Sequence, residues 1–168
     1  MTVPIYDLTV PVFSRMLTNL AGLLKKAEAD AAARKIDPQV FLHARLAPDM
    51  FDLTKQVQVV SDTAKGGLAR LAGLEVPKWA DEETTFAELG HRIARTRDYA
   101  ESFDPAQFEG AAARSIELKF PSHTLSFNGQ SYLLSFVLPN FYFHVSAAYS
   151  ILRHNGVQIG KRDFLGDI

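Results

Sequence analysis

The chain has 168 residues, 47% of them hydrophobic and 22% charged, with a net charge of −1 and no cysteine. Such a composition suits an ordinary globular protein long enough to bury a substantial core. It excludes disulfides, thiolate metal sites and cysteine nucleophiles, and it offers nucleic acid no basic face to grip.

The opening MTVPIYDLTVPVF lacks the basic region and apolar run of a secretory signal. No window approaches the roughly 18 uninterrupted apolar residues of a membrane span. A cytoplasmic protein with no membrane or nucleic-acid partner is therefore expected.

The first periodic segment begins at Thr9, a suitable N-cap, and tolerates Pro11 in its first turn. Val10, Phe13, Leu17, Leu20, Leu24, Ala27 and Ala31 recur at alternating three- and four-residue steps, the core stripe of a long helix ending near Arg34. Asp37 and Pro38 then read as a cap and first-turn proline of a short helix through Arg45. Pro48 opens the second long helix, whose stripe is Met50, Leu53, Val57, Val60, Ala64, Leu68 and Leu71, ending near Gly73. The Gly66–Gly67 pair inside it predicts close packing or a kink.

LEVPKWADEE is a connecting loop, and Thr85 to Glu88 fits a capping box that starts a third long helix. Phe86, Leu89, Ile93, Thr96, Ala100 and Phe103 form its stripe. Beyond Asp104 the period changes. Ile116, Leu118 and Phe120 alternate with polar residues, as do Leu125 and Phe127, so a small β excursion is expected, turning either across PSHT or at Asn128–Gly129. Helical character returns at Ser131. Pro139 either kinks a long fourth helix or starts a fresh one, which ends at Asn155–Gly156. Ile159, Phe164 and Leu165 in the tail call for burial. The sum is an all-α four-helix bundle, a single domain over 1–168, with a short helix between its first two long helices and a small β excursion before its fourth.

One candidate site emerges. Phe141, His144, Ala148 and Ile151 fall along one face of the fourth helix, and Asn140 lies one turn before His144. At about 100° per residue, Asn140 and His144 point within about 40° of each other and can converge on one ligand or ion. The plainer alternative is a core histidine satisfied by a neighbouring carbonyl or carboxylate. On the second helix, Gln56 either faces His144 across the bundle or sits half in water. Asp49, directly after Pro48, either stabilises the helix N-terminus or joins the site.

The other histidines, at 43, 91, 123 and 154, have no zinc-like spacing, and HExxH and GxSxG are absent. GVQIGK lacks the Ser/Thr of a phosphate loop and follows a helix instead of preceding one. The aromatic run Phe141, Tyr142, Phe143 covers opposite faces of one helix, so part of that helix is expected to meet another element or subunit.

RLAPDMFDLTKQVQ (Arg45 to Gln58), DEETTFAELGHRI (Asp81 to Ile93) and FYFHVSAAYSILRHNGV running into IGKRDFLG carry a resemblance over nearly the whole chain. On these segments the chain resembles the DinB/YfiT-like superfamily of bacterial four-helix bundles, and more narrowly an uncharacterised domain-of-unknown-function family within it. The resemblance implies a bundle that often forms homodimers. It also implies a divalent metal, nickel or zinc, held by one histidine of the second long helix and two of the fourth spaced one turn apart. Relatives include thiol-dependent transferases and isomerases.

Carried over, the metal positions fall on His144, Asn140 and Gln56, so His144 alone keeps an imidazole. Amide oxygens are poor ligands for either metal. The chain is therefore expected to be a small-ligand-binding or non-catalytic homodimer with a degenerate metal site, its catalytic residues unassigned. The alternative is a metal- and thiol-dependent transferase or isomerase in which His144 is ligand or general base.

Overall fold

The computed structural model describes residues 3–167. Its first helix, α1 (Val10–Arg34), buries every residue of the predicted stripe and ends where Lys35 turns left-handed at φ 54. Thr9 precedes it without capping it, because its hydroxyl donates back to the Ile5 carbonyl.

The short helix α2 (Pro38–Leu42) starts at the predicted cap, with the Asp37 carboxylate accepting from the Gln39 amide, but stops before Arg45. Continuing it would require an amide from Pro48 for the Ala44 carbonyl, and proline has none. Leu53 supplies that amide instead, and the Thr54 hydroxyl takes the Leu42 carbonyl. For the same reason the second long helix, α3, runs Leu53–Ala72 and does not open at Pro48. Its cap is Asp52, whose carboxylate accepts from the Lys55 amide. Met50 therefore lies in the preceding turn.

The third long helix, α4 (Phe86–Glu101), has the capping box read at Thr85 and Glu88, with both reciprocal bonds present. Short 3-10 turns at Pro105–Phe108 and Ala111–Ala113 lead into the hairpin β1 (Ser115–Lys119) and β2 (Thr124–Asn128). Of the two turns open to it, the hairpin uses PSHT, pairing Ile116 with Phe127 and Leu118 with Leu125. The Asn128 side chain instead accepts from the Ser131 amide and caps α5 (Gly129–Tyr132).

A π-helical segment, Leu133–Val137, joins α5 to α6 (Leu138–His154) without a break. Pro139 explains it: a proline ring collides with the carbonyl one turn back and leaves it without a donor, and a wider turn relieves both faults. The extra residue advances the phase of everything beyond it by about 100°, so it helps decide which α6 side chains face inward. A final helix, α7 (Lys161–Leu165), lies on α1. In the tail Ile159 is buried, and Phe164 meets the edge of Tyr149 at 5.8 Å between centroids.

The long helices form a ring in which α1 packs on α4, α4 on α3, α3 on α6 and α6 on α1. Two glycines permit close approaches. A Cβ at Gly67 would come 2.7 Å from Val137 Cγ1, so this glycine lets α3 approach the π segment closely. At Gly129 a Cβ would lie 1.8 Å from the Ala111 carbonyl oxygen, a backbone atom with no freedom to yield. Gly129→Ala is expected to lower stability by about 1–3 kcal/mol or more, read as a lower urea midpoint at unchanged slope. Among the described residues no helix is long and apolar enough to cross a membrane.

Candidate functional site

The Leu53 start of α3 and the π segment before α6 bring Gln56 and His144 face to face. His144 Nδ1 lies 2.6 Å from Gln56 Oε1, and both residues are buried. The Gln56 Nε2 group donates to the Phe51 carbonyl at 3.1 Å. A carbonyl only accepts, so this bond decides which end of the amide is nitrogen and leaves Oε1 towards the imidazole. Facing an acceptor, Nδ1 must carry the ring proton. Nε2 of the neutral ring is then a bare lone pair. Among the described residues it has no hydrogen-bond partner, and it is not sealed from solvent.

The surroundings of the imidazole are aromatic. The Phe51 ring stacks over it at 6.4 Å and 26°, and Phe143 meets it edge-on at 5.1 Å. Both phenylalanines remain largely exposed, as does Leu46. Beside them Leu46, Met50, Tyr142, Phe143, Ala147 and two serines line an open cleft of about 440 Å³.

Burial disfavours the imidazolium and holds His144 below its ordinary value of 6.5. The folded chain thus takes up this proton less readily than the unfolded one. Stability tied to the neutral ring is complete above about pH 6.5 and is lost as pH falls through the lowered folded value. Urea midpoints of the wild type and His144→Gln should therefore converge, or cross, between pH 7.5 and pH 5 by this contribution; parallel curves would contradict it.

Asn140 does not join the pair. Its amide donates to the Thr63 hydroxyl at 2.9 Å, two turns along α3 from Gln56. Asp49 is exposed in the turn ahead of α3, too early to cap it, and is a partner of neither Gln56 nor His144. His91, His123 and His154 are exposed. His43 faces the Asp52 carboxylate at 3.4 Å. Among the described residues no group of three or more His, Cys, Asp or Glu side chains is placed to hold a metal ion.

A second polar centre escaped the sequence reading. Arg92 of α4 is buried, and its guanidinium meets Asp62 at 3.0 Å, Asp81 at 2.9 Å and Glu83 at 3.0 Å, besides the Ala80 carbonyl. Gln58 adds a hydrogen bond to Glu83, Lys65 pairs with Asp62, and Lys55 pairs with Asp81. Burial by itself would raise the Asp81 carboxyl, but Lys55 and Arg92 outweigh it and hold the group below 3.8. Trp79 is held between Lys65 and Arg95 at 4.5 and 4.2 Å from its ring centroid. The LEVPKWADEE stretch is thus a strap pinned to α3 and α4. Its clue was an arginine interrupting the third stripe between Leu89 and Ile93.

The family model described as "Domain of unknown function (DUF1993)" matches residues 5–165. The chain belongs to that family. Among solved structures it is similar to a DinB family member from Shewanella denitrificans, with 47% identity, a TM-score of 0.89, and coverage of 98% of this chain and 93% of that one. No curated protein matches it. The chain is therefore a DinB-like helical bundle.

Proposed function

We propose that this DinB-like chain is a small-ligand-binding protein whose ligand docks against His144, without a three-histidine metal centre. The observation that carries the reading is the bare, solvent-facing Nε2 beside aromatic and aliphatic side chains. Such a mouth suits a neutral molecule with an apolar body and one hydrogen-bond donor, because the neutral imidazole offers an acceptor and no charge.

The donor set argues against zinc or nickel. One imidazole is present, the Gln56 oxygen is committed to Nδ1, and the Asn140 NH₂ group donates to Thr63, two turns along α3 from Gln56. Amide oxygens do not replace the imidazoles such ions favour.

The test is a screen of phenols, alcohols and primary amides against uniformly labelled protein, reading amide shifts by NMR. Binders should perturb Phe51, Gln56, His144 and Phe143 and lose affinity in His144→Ala. Binders that map elsewhere, or bind the variant equally well, overturn the reading. A ligand at a hundred times its dissociation constant adds about 2.7 kcal/mol of stability, so thermal shifts provide a second readout.

The same lone pair favours a second reading, a thiol-dependent transferase or isomerase in which Nε2 is general base. Turnover that requires an added low-molecular-weight thiol and vanishes in His144→Ala would establish it. We also propose a homodimer built on the exposed Phe143 face of α6. Light scattering at micromolar concentration should give twice the chain mass, reduced to the monomer by Phe143→Glu.

A further inference from the structure

We propose that the cleft between the strap and α4 is a second binding site, one that takes a small monoanionic organic carboxylate on Arg95 and Arg92. It stands apart from the His144 reading and shares no residue with that site.

The cleft holds about 360 Å³, with Trp79, Ala80 and Glu82–Glu83 of the strap on one side and Glu88, His91, Arg92 and Arg95 of α4 on the other. Those α4 positions recur at three- and four-residue steps, so they share one face of the helix. What this face leaves unpaired is chiefly donors. The exposed Arg95 guanidinium lies over the Trp79 ring at 4.2 Å and has no carboxylate partner among the described residues. Stacking occupies the flat face of the group and leaves its in-plane N–H groups free, in the fork that matches a carboxylate. Arg92 supplies the second observation. Its side chain is 2% exposed, and its terminal nitrogens meet Asp62, Asp81, Glu83 and the Ala80 carbonyl, yet its Nε is buried without an acceptor. Among the described residues no other buried side-chain nitrogen or oxygen is left so. A donor stripped of water and unpaired is costly, and an acceptor entering the cleft relieves that cost.

The acids in the wall select the class of ligand. Glu83 is committed to Arg92 and Gln58, and Glu88 to the Thr84 and Thr85 amides. Glu82 is exposed and has no such partner among the described residues. Repulsion from these carboxylates grows with the charge of the ligand, so a single carboxylate is admitted and a dianion is held off. The ligand is also compact, because the Trp79 ring is already covered by Lys65 and Arg95. Once bound, it fixes Arg95 against Trp79 and ties the strap more firmly to α4.

Trp79 is the one tryptophan of the chain, so its fluorescence reads this cleft directly. The full chain, at low salt and a pH above neutral, would be titrated with acetate, lactate and benzoate, and with inorganic phosphate beside them. The carboxylates should give a saturable change at millimolar concentration, and phosphate a weaker one. The side-chain Nε–H signals of Arg92 and Arg95 should shift in NMR spectra with the same affinity. Arg95→Gln should weaken carboxylate binding about tenfold or more, the effect of losing a charge-assisted hydrogen bond. Glu82→Gln should tighten it, and His144→Ala should leave it unchanged. Because Glu82 is exposed, that variant tests the site even if Arg95→Gln folds poorly. No saturable change with any carboxylate, or phosphate bound as tightly, would overturn the proposal. So would wild-type affinity in Arg95→Gln, no tightening in Glu82→Gln, or carboxylates that shift His144 and leave both arginines unmoved.

Discussion

Arg92→Ala is expected to lower stability by about 3 kcal/mol, dropping the melting temperature by roughly 6–12 °C for a chain of this size. The guanidinium is 2% exposed and converges with Asp62, Asp81 and Glu83, which are 43%, 31% and 15% exposed. Removing it leaves clustered carboxylates with Lys55 and Lys65 as their remaining counter-charges. Because those carboxylates reach water, the cost should sit at the low end of the range of about 3–5 kcal/mol for breaking a buried pair. Arg92→Lys should recover only part of the loss, since an ammonium cannot serve several carboxylates and the Ala80 carbonyl as a planar fork does. Thermal and urea unfolding of both variants check this, with Trp79 fluorescence reporting on the strap. A loss below about 1 kcal/mol, within the reach of ordinary surface pairs, would mean that the network is incidental.

Phe141→Ala is expected to cost about 3–5 kcal/mol. Its ring has no exposed surface and packs on Phe13 of α1 at 4.7 Å between centroids. The cavity would open where α6 leans on α1, one turn before His144, so the variant should also blur the His144 ring signals. Phe141→Leu retains most of the volume and should cost less than half as much. Equal losses for the two substitutions would show that the site collapses freely and that this contact does not anchor α6.

The fold could be read from the chain because its apolar residues are strictly periodic. Seven stripe positions of α1 are buried as the spacing requires, and Thr85 and Glu88 form both halves of their capping box. Reading failed where the decisive partner was distant in sequence. Pro48 resembled a helix start, but the carbonyl it cannot serve, Ala44, is claimed by Leu53, and no local pattern encodes that. The π segment left only Pro139 as a trace. The burial of Arg92 depends on four partners from a loop and a neighbouring helix, which no local pattern brings together. At the candidate site the inward histidine was visible as a polar break in an apolar stripe, whereas Gln56 could equally have faced His144 or sat half in water. Phe51 was not visible, because its part is played by a backbone carbonyl that carries no side-chain signal. Asn140 shares a helix face with His144, yet its amide found Thr63 first.

Elemental analysis is the most direct test of the central claim, that His144 anchors an organic ligand and not a metal centre. The purified chain would be equilibrated with zinc or nickel, desalted, and compared with His144→Ala. The account predicts far less than stoichiometric metal, equal in the two proteins. Near-stoichiometric metal in the wild type, absent from the variant, would contradict it.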